Sequence, residues 1–324
     1  MNKTKTIGVL TSGGDAPGMN AAVRSVARSA LARGMKVIGI RRGYNGLIHK
    51  DYFEMCALSV SDIIHKGGTV LYTARSPEFR THEGKLKALE TVKELGIDGI
   101  VTIGGDGTYM GAKMFSEMGV PCVGIPATID NDIACTDYSI GFDTAINTAV
   151  EMVDKLRDTA HSHERCTIVE VMGRDSGSLA IRCAIAVGAF AVIVPEVKYD
   201  FQRDIIENLI KLKAAGKKHA IIVVAEGMGL DMRKVSKEIE DKTGLEARWT
   251  VLGHVQRGGS PNIWDRVMAS EMGCYAVSLL AEGIGNRVVA YKNSKVVDYD
   301  IAEGLAMTKP PRVDLLRLIG EIGL

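Results

Sequence analysis

Three stretches rich in glycine and aspartate could together hold phosphate groups and move a proton. TSGGDAPGMN (residues 11–20) and TIGGDGTYMG (102–111) each follow an apolar run and lead into a helical pattern. Gly13, Gly14 and Gly18 let the backbone approach a ligand closely, and amides at a helix N-terminus, with its dipole, suit phosphate. The first loop is neither a Walker A loop nor GxGxxG, since the lysine and the glycine spacing are missing, and a plain strand-to-helix turn is its alternative reading. In the second, Asp106 stands between Gly105 and Gly107. A carboxylate among phosphate-cradling amides needs a cation, which Mg²⁺ bound with nucleotide phosphates supplies; a helix-capping aspartate is the alternative. The third stretch, IPATIDNDIACTD (125–137), offers Asp130, Asp132 and Asp137 to accept a hydroxyl proton during phosphoryl transfer. For Asp132 and Asp137, ordinary turn chemistry competes with that role. A basic set accompanies them: Arg165 in HSHER, Arg174 in VMGRDSG, Arg248 in EARWTVLGH, and His254 with Arg257 in GHVQRGGSP. Each arginine alone reads as a solvated surface residue. Their repetition at strand ends points to a second, anionic substrate, because the guanidinium fork clamps phosphate.

The elements that must position these loops are legible as alternating patterns. KTIGVL, MKVIGI, DGIVTIGG, PCVGIP, CTIVEVMG, FAVIVP, HAIIVVAEG, ARWTVLG and RVVAYK are short β-type runs. Most are apolar without alternation, as in parallel strands covered on both faces. Helical spacing runs through residues 19–31, stopped by Gly34, and through 85–95, 142–159, 204–215 and 265–281. The alternation predicts an α/β protein of doubly wound type, with ligands at the carboxyl ends of the strands. No internal repeat or Pro-rich linker marks a border, which is expected near residues 139–142.

Bulk composition narrows the classes further. At 324 residues, 46% apolar, the chain is long for one core, so two domains are expected. Forty basic against 39 acidic residues leave +1, which gives no reason to expect nucleic acid or membrane as a partner. The N-terminal residues show no signal-peptide pattern. The six cysteines are scattered without CxxC, as expected of reduced thiols in a cytoplasmic protein. A nicotinamide-dependent dehydrogenase would suit the alternation, but it calls for GxGxxG with an acidic residue about 20 positions on.

In order along the chain, TSGGDAPGMNAAVR, GGDGTYMGA, PATIDND, VEVMGRDSG, AEG and VLGHVQRGGSP give it an end-to-end resemblance to the bacterial 6-phosphofructokinases of the short type. The resemblance implies two Rossmann-like domains, 1–141 plus 255–305 for ATP and 142–254 plus 306–324 for the sugar phosphate. It implies transfer of the γ-phosphoryl of MgATP to the 1-hydroxyl of fructose 6-phosphate. On matching positions, Gly14, Arg75, Ser76, Gly105, Asp106, Gly107 and Thr108 would hold ATP, with Asp106 directing Mg²⁺. Asp130 would be the base, with Thr128 and Asp132 beside it, and Arg174 would balance charge on the transferring group. Met172, Gly173, Glu226, His254 and Arg257 would line the sugar site. Arg165 and Arg248 would reach it from a neighbouring subunit of a homotetramer. Pyrophosphate-dependent relatives, the alternative, carry Asp at the position of Gly107 and Lys at that of Ala127. Small residues at both favour ATP, although the ATP type has Gly rather than Ala127, and GRDSG resembles the pyrophosphate branch. A non-catalytic sensor would be expected to lack Asp130 or Asp106. Arg24, Arg28, Arg157 and Lys217 match the family's effector cluster, whereas Ala57, Phe190 and Ala215 depart from it, so a blunted effector response is expected.

Overall fold

The computed structural model describes residues 4–322, so residues 1–3 and 323–324 of the expected domain segments lie outside the described residues. Along the chain, β1 (Thr6–Thr11) leads to α1 (Met19–Ala32), β2 (Lys36–Ile40), α2 (Tyr44–Ile48), β3 (Tyr52–Met55) and α3 (His82–Glu94). Next come β4 (Gly99–Gly104), α4 (Asp106–Glu117), β5 (Cys122–Pro126) and the long α5 (Phe142–Ser162). β6 (Cys166–Val171), α6 (Ser178–Ala186), β7 (Ala191–Ile193), α7 (Glu207–Ala214), β8 (Ala220–Ala225), α8 (Met232–Thr243) and β9 (Ala247–Val251) follow. The chain ends with α9 (Ile263–Ala281), β10 (Arg287–Lys292), β11 (Lys295–Asp300), α10 (Ile301–Ala306) and α11 (Asp314–Ile322).

These elements form two units, each α/β with a mainly parallel sheet. The first holds residues 4–129, 133–144 and 257–309; the second holds 130–132, 145–256 and 310–322. The borders fall after 144, within α5, after 256, within the Gly253–Arg257 turn, and after 309. The first unit's sheet has the order β11-β10-β5-β4-β1-β2-β3, the second unit's β7-β8-β6-β9. Inner strands β4, β5 and β8 are buried along their whole length, which is why they read as unbroken apolar runs.

All nine β-type runs form strands. Two further strands, β3 and β11, pair antiparallel with β2 and β10 at the sheet edges. Their sequences, YFEM and KVVDYD, are mixed in polarity and only partly buried, so no apolar run marked them. The helix expected over 204–215 begins earlier and is divided. A π-helical turn at Phe201–Ile206, capped by the Asp200 side chain, precedes α7. α8, largely charged, buries only Met232, Ser236, Ile239 and Thr243, a stripe too thin to stand out. In the first unit's core Tyr44 stacks on Phe79 at 4.2 Å between ring centroids, with Phe115 against both. The second unit's core gathers Ile168, Ile206, Leu209, Val224 and Ile239, with Phe190 at its border. All six thiols are free, four of them buried. Among the described residues no helix is long and apolar enough to cross a membrane.

Candidate active site

In the first unit, β1 and β4 are parallel neighbours, so both glycine-rich loops leave the sheet at the same edge. The Ser12 amide donates to the Ile103 carbonyl at 3.0 Å, and the Thr108 hydroxyl donates to the Ser12 carbonyl at 3.1 Å. Gly104 sits at this crossing. A Cβ there would lie 2.3 Å from the Thr108 hydroxyl and 2.4 Å from the Ser12 carbonyl, so only glycine allows the loops to meet. By contrast, Cβ atoms on Gly105 and Gly107 would meet nothing within 4 Å, which leaves open space over the start of α4. The first amides of a helix lack partners four residues back, and here that of Thr108 turns to the Gly105 carbonyl at 2.8 Å. The reading of Asp106 as a cap is corrected: Gly105 occupies the cap position and Asp106 is the exposed first residue of α4. Burial, and then the Asp106 charge, push the Cys135 thiol up to about 11.

Other expected nucleotide and substrate groups take definite places in this unit. Arg75 is exposed, and the Ser76 hydroxyl accepts from the Phe79 amide at 3.2 Å. Arg257, expected at the sugar site, lies 3.7 Å from Asp15, and its guanidinium fills the space beside Gly14. The loop after β5 is tied to β4, since the Ala127 amide donates to the Gly104 carbonyl at 3.0 Å. The Thr128 amide donates to Ile140, and its carbonyl accepts from the Ser139 hydroxyl. Asp137 is corrected as a candidate base: its carboxylate is engaged by Lys292 at 2.8 Å and by the Asn293 amide at 3.2 Å. Asp132, which the second unit holds with Asp130, is exposed, and Asn131 between the two acids adopts a left-handed conformation with φ 49°.

The second unit gathers charged side chains at the ends of β6, β8 and β9. After β6, Gly173 (φ 143°) and Arg174 (φ 51°) turn the chain sharply; a left-handed arginine is strained and needs surrounding support. Glu226, just after β8, supplies it by accepting from the Gly173 amide at 3.1 Å and the Arg174 amide at 2.8 Å. Gly227 lets this happen, since a Cβ there would lie 2.1 Å from the Arg174 carbonyl. The turn brings Arg174 Nε to 3.1 Å from Asp130 Oδ2, and the Asp130 side chain is only 2% exposed. Met172 is buried, its amide donating to Gln256 Oε1 at 3.3 Å, while His254 is exposed. Burial, and then the Glu226 charge, raise the Glu170 carboxyl above its ordinary value.

Arg165 and Arg248 come together through Glu246. Arg165 Nε lies 2.7 Å from Glu246, which also pairs with Arg248. Of the expected effector residues, Arg24 and Arg28 lie one turn apart on α1 in the first unit. In the second, Arg157 donates to the Val187 carbonyl and Lys217 is partly buried. Ala57 and Ala215 are exposed. Sequence reasoning missed Glu170, Gln256 and Glu246. Glu170 and Gln256 act through partners distant in sequence, and Glu246 links its near neighbour Arg248 to the distant Arg165, which no local signal marks.

The phosphofructokinase family model matches residues 6–280 of the chain. A protein named ATP-dependent 6-phosphofructokinase from Bacillus velezensis is 53% identical over 320 residues, covering 99% of this chain and 100% of that protein. One of the same name from Clostridium botulinum is 53% identical over 94% of this chain and 95% of its own. Among solved structures, phosphofructokinase from Saccharomyces cerevisiae aligns with a TM-score of 0.87 at 34% identity, over 98% of this chain. This chain spans only 48% of that yeast chain. A pyrophosphate-dependent phosphofructokinase from Marinobacter aquaeolei, 20% identical with a TM-score of 0.83 over 97% of this chain and 91% of its own, shares the fold.

Proposed function

The chain belongs to the phosphofructokinase family, and from that premise we propose that it transfers the γ-phosphoryl group of ATP to the 1-hydroxyl of fructose 6-phosphate, as a kinase of glycolysis. The observation that carries the chemistry is the Asp130–Arg174 contact, a buried carboxylate held 3.1 Å from a guanidinium. Asp130 accepts the hydroxyl proton as the sugar oxygen attacks, and Arg174 balances the charge of the phosphoryl group in flight. Thr128 and Asp132 flank the base. Phosphoryl transfer passes through a loose transition state, so positioning and electrostatics supply most of the rate.

Gly14, Gly105, Gly107 and Thr108, with Arg75 and Ser76, hold the nucleotide. Asp106 fits Mg²⁺. It is an exposed carboxylate in the first turn of α4, flanked by open space, and Mg²⁺ bound with phosphates needs only one or two protein carboxylates. When bound, the ion offsets negative charge on the phosphates. In the second unit Met172, Gly173, Glu226 and His254 bind the sugar, and the family resemblance adds Arg257 to that set. Arg165 and Arg248 bind the sugar's phosphate group in a neighbouring protomer, which makes a homotetramer the working assembly.

Initial rates with ATP and with pyrophosphate, each with fructose 6-phosphate, test the donor. ATP is expected to support turnover, and comparable turnover with pyrophosphate would overturn the assignment. Arg24, Arg28, Arg157 and Lys217 match the family's effector residues, and the effector response is blunted, because Ala57, Ala215 and the buried Phe190 supply no charge. A full-strength shift of the fructose 6-phosphate saturation curve by ADP or phosphoenolpyruvate would refute that.

A further inference from the structure

β6 and β9 are parallel neighbours in register Cys166↔Ala247 and Thr167↔Arg248, and the Cys166 amide donates to the Glu246 carbonyl at 2.8 Å. This pairing sets Arg165, just before β6, beside Glu246, just before β9. The Glu246 carboxylate is divided between two guanidinium groups: Oε2 takes Arg165 Nε at 2.7 Å and Oε1 takes Arg248 Nη2. A second carboxylate, Glu240, meets Arg248 Nη1 at 3.3 Å and also accepts from the Ala247 amide at 2.9 Å. One anion shared by two guanidinium forks is the arrangement in which such forks hold a phosphate group.

We propose that Glu246 is an internal placeholder for the phosphate group of the sugar phosphate, occupying the Arg165–Arg248 pair until the substrate displaces it. The inference rests on the reading above that these two arginines bind that phosphate. Glu246 acts through them and is a positioning residue. It holds two like charges together and neutralises part of their field, so the pair is assembled before substrate arrives. The side chains of Glu246 and Arg248 are 38% and 58% exposed, and exposed ion pairs are weak enough to exchange for a dianion with twice the charge. Displacing Glu246 is therefore part of the apparent affinity and raises the substrate concentration needed for half-saturation. The Arg165 hydrogen bond, with the Arg165, Arg248 and His163 charges, holds the Glu246 carboxyl below its ordinary value, so it is ionised at neutral pH.

Fructose 6-phosphate saturation at fixed high ATP, with E246Q beside the unaltered enzyme, tests this. Half-saturation is expected to fall about 3–10-fold with kcat within about twofold, a range equal to roughly 0.7–1.4 kcal/mol of binding. Calorimetric binding of fructose 6-phosphate without ATP should tighten by the same factor. A raised or unchanged half-saturation in E246Q overturns the placeholder, a rise meaning that Glu246 only braces the arginines. R165A and R248A separate the two levels of the argument. If both raise half-saturation while E246Q fails to lower it, only the placeholder falls. If neither changes it, the phosphate role of the arginines falls.

Discussion

After β1 and β4, the first unit offers glycines, helix-terminal amides and one exposed acid; the second sets Arg174 and Glu226, after β6 and β8, with Asp130, and Arg165 and Arg248 with Glu246 at the starts of β6 and β9. The first arrangement is made by the backbone and depends on what is missing, namely the β-carbons of Gly104, Gly105 and Gly107. The second is made by side chains and depends on which opposite charge each one finds. A nucleotide's phosphates are met alike by any chain with amides in the right place. A sugar phosphate and a proton in transit need particular side chains at particular points, so the two units should fail in different ways when altered.

The largest expected effect is in the second unit. Asp130→Ser should leave both substrates bound yet lower kcat by ~10²–10⁴, the usual contribution of a general base. Rapid-quench or coupled assays with binding controls read this directly, and near-normal kcat would remove Asp130 from the proton path. Glu226→Gln, which alters the group holding the Gly173–Arg174 turn, should lower kcat less than Asp130→Ser and also raise the KM for the sugar phosphate.

Two glycines sharpen the backbone side of the comparison. Gly104→Ala places a methyl against the Ser12 carbonyl and the Thr108 hydroxyl, and overpacking of this kind costs about 1–3 kcal/mol. Gly107→Ala meets nothing within 4 Å, so its stability should stay within about 0.5 kcal/mol while its KM for ATP rises. Urea unfolding and ATP saturation of both variants give the four numbers required. Equal stability losses would mean that the space over α4 is not open to ligand.

The same contrast explains what could be read from the sequence. The sheet interiors and both phosphate-type loops were legible, because a strand followed by glycines and a helix is a local pattern. Asp130 was legible from the residues as a candidate among three acids and was singled out by the resemblance, and the structure sets Arg174 beside Asp130 and Lys292 on Asp137. Glu246, Glu170 and Gln256 were not legible, since their roles come from strand register and burial rather than neighbours in sequence. Arg257 was assigned to the sugar by resemblance, and its place with Asp15 beside Gly14 was not legible. The edge strands β3 and β11 escaped because half-buried edges tolerate polar residues.

The remaining expected effect, on stability alone, concerns the two buried aspartates, one in each unit. Asp130 has a guanidinium beside it, while Asp265, fully buried on α9, accepts from the Gly141 amide, the Thr144 amide and the Thr144 hydroxyl at 2.7, 2.9 and 2.5 Å. Hydrogen bonds from neutral donors do not offset its loss of water, and burial pushes its pKa up from 3.8 to about 6. The folded state therefore binds this proton more tightly than the unfolded chain does. Its ionisation penalty is fully present above pH 6 and is relieved as pH falls toward 4, by up to roughly 3 kcal/mol for a shift of about two units. Asp265→Asn abolishes the titration, so the stability of the unaltered protein minus that of the variant should grow as pH falls from 7 to 4.5. Urea unfolding of both proteins across that range measures it. Parallel curves would show that the amide and hydroxyl cradle in the first unit stabilises a carboxylate as well as an arginine does in the second.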